Sequence, residues 1–295
     1  MVASAFESLR IPAPGATLDV RAYPGSGEPI VLLHGGPGMG NYFDSLSRML
    51  SPPHRVVSYD QRGCGKSSCD GSFDIDKQVA DLDALRSHLG AGRIHLFGHS
   101  WGGMLAQLYA RAHPEAVASL VLCCSMANTG RKTAMESKGI AERVIGRPKR
   151  SQVAWAAAGM LMQCPGRLGD LGFGHVLRQL LPNYVVHPER APKDFDVHRV
   201  SKRAWRGTNS ALKALDDHHL TGLSLDVPVL IVQGAQDVIR ETNALLVERF
   251  PAATNIWIEQ AAHFPWAEQP DDFAQAVRGF YRKVFGASSP GAVPR

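Results

Sequence analysis

The chain has 295 residues, of which 44% are hydrophobic and 20% are charged, and its formal net charge is +5. This length allows one large domain, or one domain with an insertion, around a sizeable core. The sequence contains no run of about 18 apolar residues, so we expect no membrane-spanning helix. The positive charge is concentrated at 129–222, with 16 Lys/Arg and 8 Asp/Glu, but no module or aromatic pattern for nucleic-acid binding accompanies it. We therefore expect neither a membrane nor a nucleic-acid partner.

The first residues and the cysteines indicate where the protein works. The start of the chain lacks a basic segment followed by an apolar one, so we expect no secretory signal. The five cysteines are odd in number and form no Cys-x-x-Cys pair of the metal-binding type. Reduced thiols in a cytoplasmic protein are the simplest interpretation.

Predicted strands and helices alternate in the first half of the chain. Residues 16–23 alternate weakly and predict an edge strand, followed by a turn at 24–29. Apolar runs predict further strands at 30–33, 55–59, 94–97 and 117–124. Apolar residues three or four apart predict helices between them, at 41–50, at 75–89 and from 101 onwards. This order is typical of a mostly parallel sheet flanked by helices, an α/β fold.

The alternation stops near residue 127 and resumes with predicted strands at 227–232 and 255–259. Between them the sequence has several prolines and no convincing strand. Helix-like pieces occur there at 153–162, 174–181 and 200–215. We therefore predict a core formed by 1–126 and 223–295, and a helical cap at 127–222 that lies as a lid above the carboxyl ends of the strands.

A strand, a tight turn and a helix follow one another within residues 93–106. The turn reads Gly98-His99-Ser100-Trp101-Gly102, and a Gly-x-Ser-x-Gly pattern in this context predicts an exposed nucleophilic serine at its apex. Glycines at 98 and 102 are needed because a side chain there would collide with the facing backbone. We predict Ser100 as the nucleophile, and we expect His99 to turn away and pack in the core.

Two further loops follow buried strands. The loop at 34–38 has three glycines whose amides can face a cavity, and we predict that the amides of Gly36 and Trp101 form an oxyanion hole. The loop at 60–68 is predicted to support the rim of the site, with Asp60 and Arg62 as a pair that fixes its shape.

A serine nucleophile needs a base and an acid that orients the base. Asp237 follows the strand predicted at 227–232, and His263 follows the strand at 255–259. Both therefore lie at the same sheet edge as Ser100, in the order serine, acid, histidine that is expected for an α/β-hydrolase. We predict His263 as the general base, with Asp237 holding its tautomer.

The chain resembles an α/β-hydrolase of the proline iminopeptidase group over nearly all of residues 17–285. The matching motifs, in order, are HGGPG at 34–38, DQRGCGKS at 60–67, GHSWGG at 98–103, GAQD at 234–237 and AAHFPWAEQP at 261–270. The resemblance implies the α/β-hydrolase fold with an inserted helical cap. It also implies acyl-enzyme hydrolysis without a metal or cofactor, and the oxyanion hole of Gly36 and Trp101 assigned above.

The resemblance weakens in the cap. Aminopeptidases of this group bind the free amine of the substrate with cap glutamates, one of them in a segment like Arg-Ala-Trp-x-x-Trp-Glu. Here Thr208 and Asn209 stand where that Trp and Glu would be, and an amide offers a desolvated cation only a dipole. We take Trp205 and Asn209 as candidate substrate contacts and expect an altered substrate. Other glutamates that could bind an amine are Glu136, Glu142 and Glu189.

These observations predict a cytoplasmic serine hydrolase that cleaves an amide or ester bond of a small molecule or short peptide through an acyl-Ser100 intermediate. Its most specific version is an aminopeptidase that acts on N-terminal proline. Alternatives are an esterase, a lactonase, a carbon–carbon bond hydrolase of small-molecule metabolism, or a non-catalytic receptor for a small ligand. A haloalkane- or epoxide-type mechanism is disfavoured because it needs an aspartate at position 100.

Overall fold

A computed structural model of the protein describes residues 6–145, 162 and 164–287. In this part of the chain eight strands form one sheet, in the order β1-β2-β4-β3-β5-β6-β7-β8. β1 and β2 pair antiparallel with their neighbours, and β3 to β8 run parallel. The strands are β1 (Glu7–Ala13), β2 (Ala16–Tyr23), β3 (Ser26–Leu33), β4 (His54–Tyr59), β5 (Ile94–His99), β6 (Val117–Cys123), β7 (Val229–Gly234) and β8 (Thr254–Ile258).

Helices cover both faces of the sheet. The α-helices of the described residues are α1 (Asp44–Leu50), α2 (Ile75–His88), α3 (Trp101–Ala112), α4 (Gly130–Ile145), α5 (Gly166–Leu180), α6 (Lys202–Ala214), α7 (Thr242–Arg249), α8 (Pro265–Glu268) and α9 (Pro270–Ala287). Alternate residues of β3 belong to different clusters: Val31 and Leu33 pack with one, and Ile30 and Leu32 with the other. The predicted α/β fold, a mostly parallel sheet flanked by helices, is confirmed.

The first antiparallel hairpin corrects one prediction. Residues 16–23 are not an edge strand, because β1 pairs with β2 along its whole length and forms the edge itself. Burial explains the arrangement: Ile11 of β1 and Leu18 of β2 are fully buried in the same cluster. The turn predicted at 24–29 is shorter than expected, since β3 begins at Ser26.

The chain between β6 and β7 contains α4, α5 and α6, and its described residues include no strand. The helix predicted at 174–181 begins earlier, at Gly166, and the one predicted at 200–215 corresponds to α6. Apart from residue 162, the helix predicted at 153–162 lies outside the described residues. We call residues 127–222 the inserted segment; their role as a cap remains a prediction.

The inserted segment is joined to the core at the carboxyl ends of the strands. Both terminal oxygens of Asp60 accept hydrogen bonds of 2.7 Å from the Arg199 guanidinium. The Ser201 amide donates to the Gly38 carbonyl at 2.7 Å, and the Gly65 amide donates to the Arg199 carbonyl at 3.1 Å. These bonds fix one side of the inserted segment above the loops at 34–38 and 60–68.

The same contacts correct the predicted pairing of Asp60 with Arg62. Arg62 is buried and forms a two-point ion pair with Asp81 of α2, at 2.6 and 2.8 Å. Asp60 pairs with Arg199 instead. A guanidinium that is buried loses its contact with water and needs a carboxylate beside it. Asp81 of the neighbouring helix α2 supplies that carboxylate. The loop is therefore held by partners outside it rather than by an internal pair.

No helix among the described residues is both long and apolar enough to cross a membrane.

Candidate active site

Ser100 lies at a strained turn between β5 and α3. Its backbone has φ 54° and ψ −118°, in a region that residues other than glycine rarely adopt. The turn requires glycines at 98 and 102 because backbone segments meet closely beneath it. A Cβ atom on Gly98 would lie 2.4 Å from the Gly102 carbonyl oxygen, and one on Gly102 would lie 1.9 Å from the Leu33 carbonyl oxygen. The strain therefore presents a partly exposed hydroxyl at the end of a buried strand.

Asp237 and His263 lie in the loops after β7 and β8 and are hydrogen-bonded. The Nδ1 atom of His263 is 2.9 Å from Oδ1 of Asp237. The carboxylate also accepts bonds from the Gln233 side-chain amide at 2.6 Å and from the Ile239 backbone amide at 3.2 Å. These donors fix the carboxylate, and because a carboxylate only accepts, Nδ1 of His263 carries a proton.

The loop that carries His263 is held from below by a buried carboxylate. Oε2 of Glu268 accepts hydrogen bonds from the backbone amides of Ala262, at 2.9 Å, and Phe264, at 3.3 Å. Its other oxygen accepts a bond of 2.6 Å from the Val186 amide of the inserted segment. Burial raises the pKa of Glu268, while the three backbone donors oppose that rise. Glu268 thus fixes the residues on both sides of His263.

Ser100 and His263 line a common cavity of about 80 Å³. The remaining lining residues are Gly36, Met39, Tyr42, His99, Leu177, Leu181, Tyr184 and Phe264. Burial raises the pKa of Tyr184 to about 12, so its hydroxyl is neutral near pH 7. No described residue of this lining carries a carboxylate. The cavity is therefore mostly apolar, with a few hydroxyl and imidazole groups.

The predicted oxyanion-hole residues lie at the same cavity or beside it. Gly36 lines the cavity with φ 53°, and Trp101 is the first residue of α3. In the described part of the chain neither backbone amide donates to a protein acceptor. Gln61 connects the turn at Ser100 with the loop at 34–38. Its side chain accepts a bond of 2.8 Å from the Trp101 indole and donates one of 2.8 Å to the His34 carbonyl. Sequence reasoning missed this role of Gln61.

His99 differs from its expected place. Its side chain is buried, as predicted, but it does not turn away from the site. Its Nε2 atom lies 2.7 Å from the backbone carbonyl oxygen of His263, and the two rings are 4.6 Å apart. Burial holds the pKa of His99 well below its usual range, so the ring is neutral. Its position immediately before Ser100 was the only sequence signal for this contact.

The structure does not bring the two candidate substrate contacts into this cavity. Trp205 is 40% exposed and packs against Phe173, with ring centroids 5.3 Å apart. The Asn209 side-chain amide donates to the Trp205 carbonyl at 2.7 Å, one turn back on the same helix. Neither residue is among the described lining residues, and their role in substrate binding stays a prediction.

The alternative glutamates do not enter the described lining either. Glu142 is 3.8 Å from Lys138 on the surface of α4, and Glu189 is exposed beside His187. The side chain of Glu136 lies outside the described residues.

Cys124, Asp237 and His263 offer possible metal ligands within 4.8 Å of one another. Burial raises the pKa of the Cys124 thiol well above its usual value, which disfavours the thiolate that a metal would need. The thiol lies 3.6 Å from the Ala262 carbonyl oxygen, and the other two groups bond to each other. The arrangement fits proton transfer better than metal binding.

Comparison with known proteins agrees with this architecture. The family described as the alpha/beta hydrolase fold matches residues 28–151. A proline iminopeptidase of Lactobacillus helveticus (strain DPC 4571) is 43% identical over 269 residues, which cover 85% of this chain and 88% of that protein. A proline iminopeptidase of Clostridium botulinum is 39% identical over 287 residues, covering 88% and 91%.

Solved structures share the fold at lower identity. A thermophilic esterase from Thermogutta terrifontis has a TM-score of 0.70 and 24% identity, covering 94% of this chain and 99% of that one. A proline iminopeptidase from Mycobacterium smegmatis has a TM-score of 0.69 and 22% identity, covering 96% and 100%. The relatives and the fold together show that this chain is a hydrolase of the α/β-hydrolase superfamily and belongs to its proline iminopeptidase-like group.

Proposed function

We propose that the protein is a serine hydrolase that cleaves an amide or ester bond of a small molecule or short peptide through an acyl-Ser100 intermediate. One observation carries the proposal. Ser100 and His263 line one cavity, while Nδ1 of His263 is bonded to Asp237. A serine, a histidine and an acid in this relation form a nucleophile, its base and the group that orients the base.

In the proposed reaction, the Ser100 hydroxyl attacks the substrate carbonyl while its proton passes to Nε2 of His263. Asp237 stabilises the imidazolium that forms. The amides of Gly36 and Trp101 donate to the negative oxygen of the tetrahedral intermediate. The imidazolium protonates the leaving amine or alcohol. Water then attacks the acyl carbonyl while His263 takes a proton from it, and the Ser100 oxygen leaves and receives that proton.

The chemistry of the cavity favours a neutral acyl group. Its described lining is mostly apolar and carries no carboxylate, so an ammonium group desolvated there would lack a compensating charge. The small volume of about 80 Å³ favours a short acyl chain. Hydrolysis of an ester or amide with a small uncharged acyl group is therefore the function that the site supports best.

A second candidate is an aminopeptidase that acts on N-terminal proline. The relatives named proline iminopeptidase favour it, because they are 39% and 43% identical over most of their length. The pyrrolidine ring of proline is itself small. This candidate requires a group that binds the free amine, and such a group would have to lie outside the described lining of the cavity.

A fluorophosphonate probe tests the shared mechanism. We expect stoichiometric labelling of the wild type and none of Ser100→Ala, with Ser45→Ala, on α1, as a control that labels normally. A protein that binds small ligands without reacting would support the receptor alternative instead. Short-chain p-nitrophenyl esters beside the p-nitroanilides of proline and alanine then separate the two substrates. Turnover of the esters alone would exclude the aminopeptidase.

A further inference from the structure

A chain of three buried hydrogen bonds connects the loops that surround Ser100. The Gly35 backbone amide is 2.6 Å from the Tyr42 hydroxyl oxygen. That oxygen is 2.6 Å from Nδ1 of His99, and Nε2 of His99 is 2.7 Å from the His263 carbonyl oxygen. The side chains of Tyr42 and His99 are buried in contact with the aromatic rings of Phe264 and Trp266.

The two ends of the chain fix the direction of every bond. A backbone amide can only donate, so Gly35 donates to the Tyr42 oxygen. A carbonyl can only accept, so Nε2 of His99 carries a proton and donates it to His263. The Tyr42 hydroxyl therefore donates its proton in a hydrogen bond to Nδ1 of His99, which is the acceptor. Only one tautomer of the neutral imidazole fits both ends.

Each link adjoins a residue of the proposed reaction. Gly35 precedes Gly36, whose amide is the proposed oxyanion donor, and His99 precedes Ser100. The last bond is made to the backbone of His263 itself. A displacement of any one of these three loops would therefore change the position of one reacting group relative to the other two.

We propose that Tyr42 and His99 are positioning residues that set the oxyanion donor, the nucleophile and the base in register through this hydrogen-bond chain. The inference rests on the proposed function, because it assigns a role in the same reaction. Neither side chain gains or loses a proton in the reaction. Tyr42 supplies a hydroxyl that accepts from one loop and donates to the next, and His99 continues the chain to the base.

The neutral state of His99 matters for the base. The His99 and His263 rings lie 4.6 Å apart, and His263 becomes a cation during acylation. A positive charge on His99 would oppose that cation in a buried site. With Tyr42 donating to one nitrogen and a carbonyl accepting from the other, His99 has no free acceptor for a proton. The hydrogen-bond chain therefore keeps His99, the ring next to His263, uncharged.

Removal of one hydroxyl tests the proposal. We expect Tyr42→Phe to lower kcat for ester hydrolysis about 10- to 100-fold, because small displacements of reacting groups have effects of this size. KM should change less than two-fold. Tyr281→Phe is the matched control, since the Tyr281 hydroxyl is also buried but has no hydrogen-bond partner among the described residues. Its kcat should stay within two-fold of wild type.

The kinetic result distinguishes positioning from a general structural role. A Tyr42→Phe enzyme with wild-type kcat would overturn the proposal. So would an equal loss in Tyr281→Phe, which would mean that any buried hydroxyl has the effect. A wild type that neither hydrolyses esters nor reacts with a fluorophosphonate would instead refute the proposed function, and the positioning role with it.

A measurement on the wild type does not depend on any variant folding. Nitrogen-15 NMR of the imidazole side chains at pH 7 should show His99 protonated on Nε2 and unprotonated on Nδ1. Its signals can be assigned through contacts with the rings of Phe264 and Trp266, whose centroids lie 5.2 and 4.7 Å away. A His99 protonated on Nδ1, or on both nitrogens, would overturn the hydrogen-bond chain whatever the activity.

Discussion

The loops at the carboxyl ends of the strands and the inserted segment are held in different ways. The strand-end loops are fixed by direct backbone contacts, such as Gly102 against Leu33, and by the pairing of β5 with β6 and of β7 with β8. The inserted segment meets the core through polar bonds, among them Arg199 with Asp60 and Val186 with Glu268, and through buried apolar side chains such as Leu212. The proposed reacting groups thus lie in the strand-end loops, and the wall of the cavity comes partly from the inserted segment.

This difference separates chemistry from selectivity. Ser100, Asp237 and His263 all belong to strand-end loops, whereas Leu177 and Leu181 of the cavity wall belong to the inserted segment. Changes in the inserted segment should therefore alter which substrate is accepted, while changes in the strand-end loops should alter the rate with every substrate. Substitutions in each region test what that region contributes to activity and to stability.

The largest expected effect is on the base. His263→Ala should reduce kcat at least about 1,000-fold with every substrate, because it removes the proposed acceptor of the Ser100 proton. Steady-state kinetics and thermal unfolding measure activity and folding separately. His175→Ala, at an exposed position on α5, is the control and should retain activity. Near-wild-type activity of His263→Ala would show that the base is a different residue.

The next effect is on the attachment of the inserted segment. Arg199→Met should lower the free energy of unfolding by about 3 kcal/mol, because it leaves the Asp60 carboxylate buried without its cation. Urea unfolding measures the change. Arg93→Met removes an exposed pair with Glu28, 3.5 Å apart, and should cost less than about 1 kcal/mol. Equal losses in the two variants would contradict the role given to Arg199.

Buried core histidines predict a pH dependence of stability. Burial lowers the pKa of His95 to about 4, whereas an unfolded histidine titrates near about 6.5. Between these values the unfolded chain binds a proton that the folded chain does not. Stability is therefore full above pH 6.5 and is lost as the pH falls towards 4, by up to about 1.4 kcal/mol per pH unit.

Substitution of this histidine isolates its contribution. His95→Asn should reduce the fall in unfolding free energy between pH 6.5 and pH 4.5, measured with urea at several pH values. Carboxylates also titrate in this range, so the comparison is with wild type at each pH. His175→Asn, on the exposed face of α5, should leave the slope unchanged. A slope that His95→Asn does not alter would refute the assignment.

The smallest expected effect is at the candidate substrate contact. Asn209 bonds to the carbonyl of Trp205 on its own helix, outside the described lining of the cavity. Asn209→Glu should therefore change kcat/KM for a proline p-nitroanilide less than about two-fold. An increase of ten-fold or more, absent with an uncharged ester, would instead place this residue beside the substrate amine and favour the aminopeptidase.

The sequence predicted the strand-end loops well because their signals are local. An apolar run followed by Gly98 and Gly102 identifies both the strand and the turn that presents Ser100. Asp237 and His263 could be placed at the same edge because the carboxyl ends of parallel strands meet there. The structure brings these two side chains to 2.9 Å, as the order of the motifs predicted.

Pairings between distant residues could not be predicted in this way. Arg62 was paired with its neighbour Asp60 because both stand in one loop, but their true partners are 19 and 139 positions away. The strand β1 was missed because Pro12 and its exposed residues hide the buried Ile11. In each case the choice depends on which groups become buried together, and a single sequence does not contain that information locally.

The place of Trp101 has a practical consequence. Its indole is fully buried, is bonded to Gln61 and belongs to the residue next to Ser100. Its fluorescence would therefore respond to an acyl group arriving on the adjacent hydroxyl. Trp205 and Trp257 are 40% and 42% exposed, so iodide should quench their emission more than that of the buried Trp101 and Trp266. The protein thus carries an indole beside the proposed nucleophile, and a change in the emission that iodide does not quench would follow acylation and deacylation in real time without a coloured substrate.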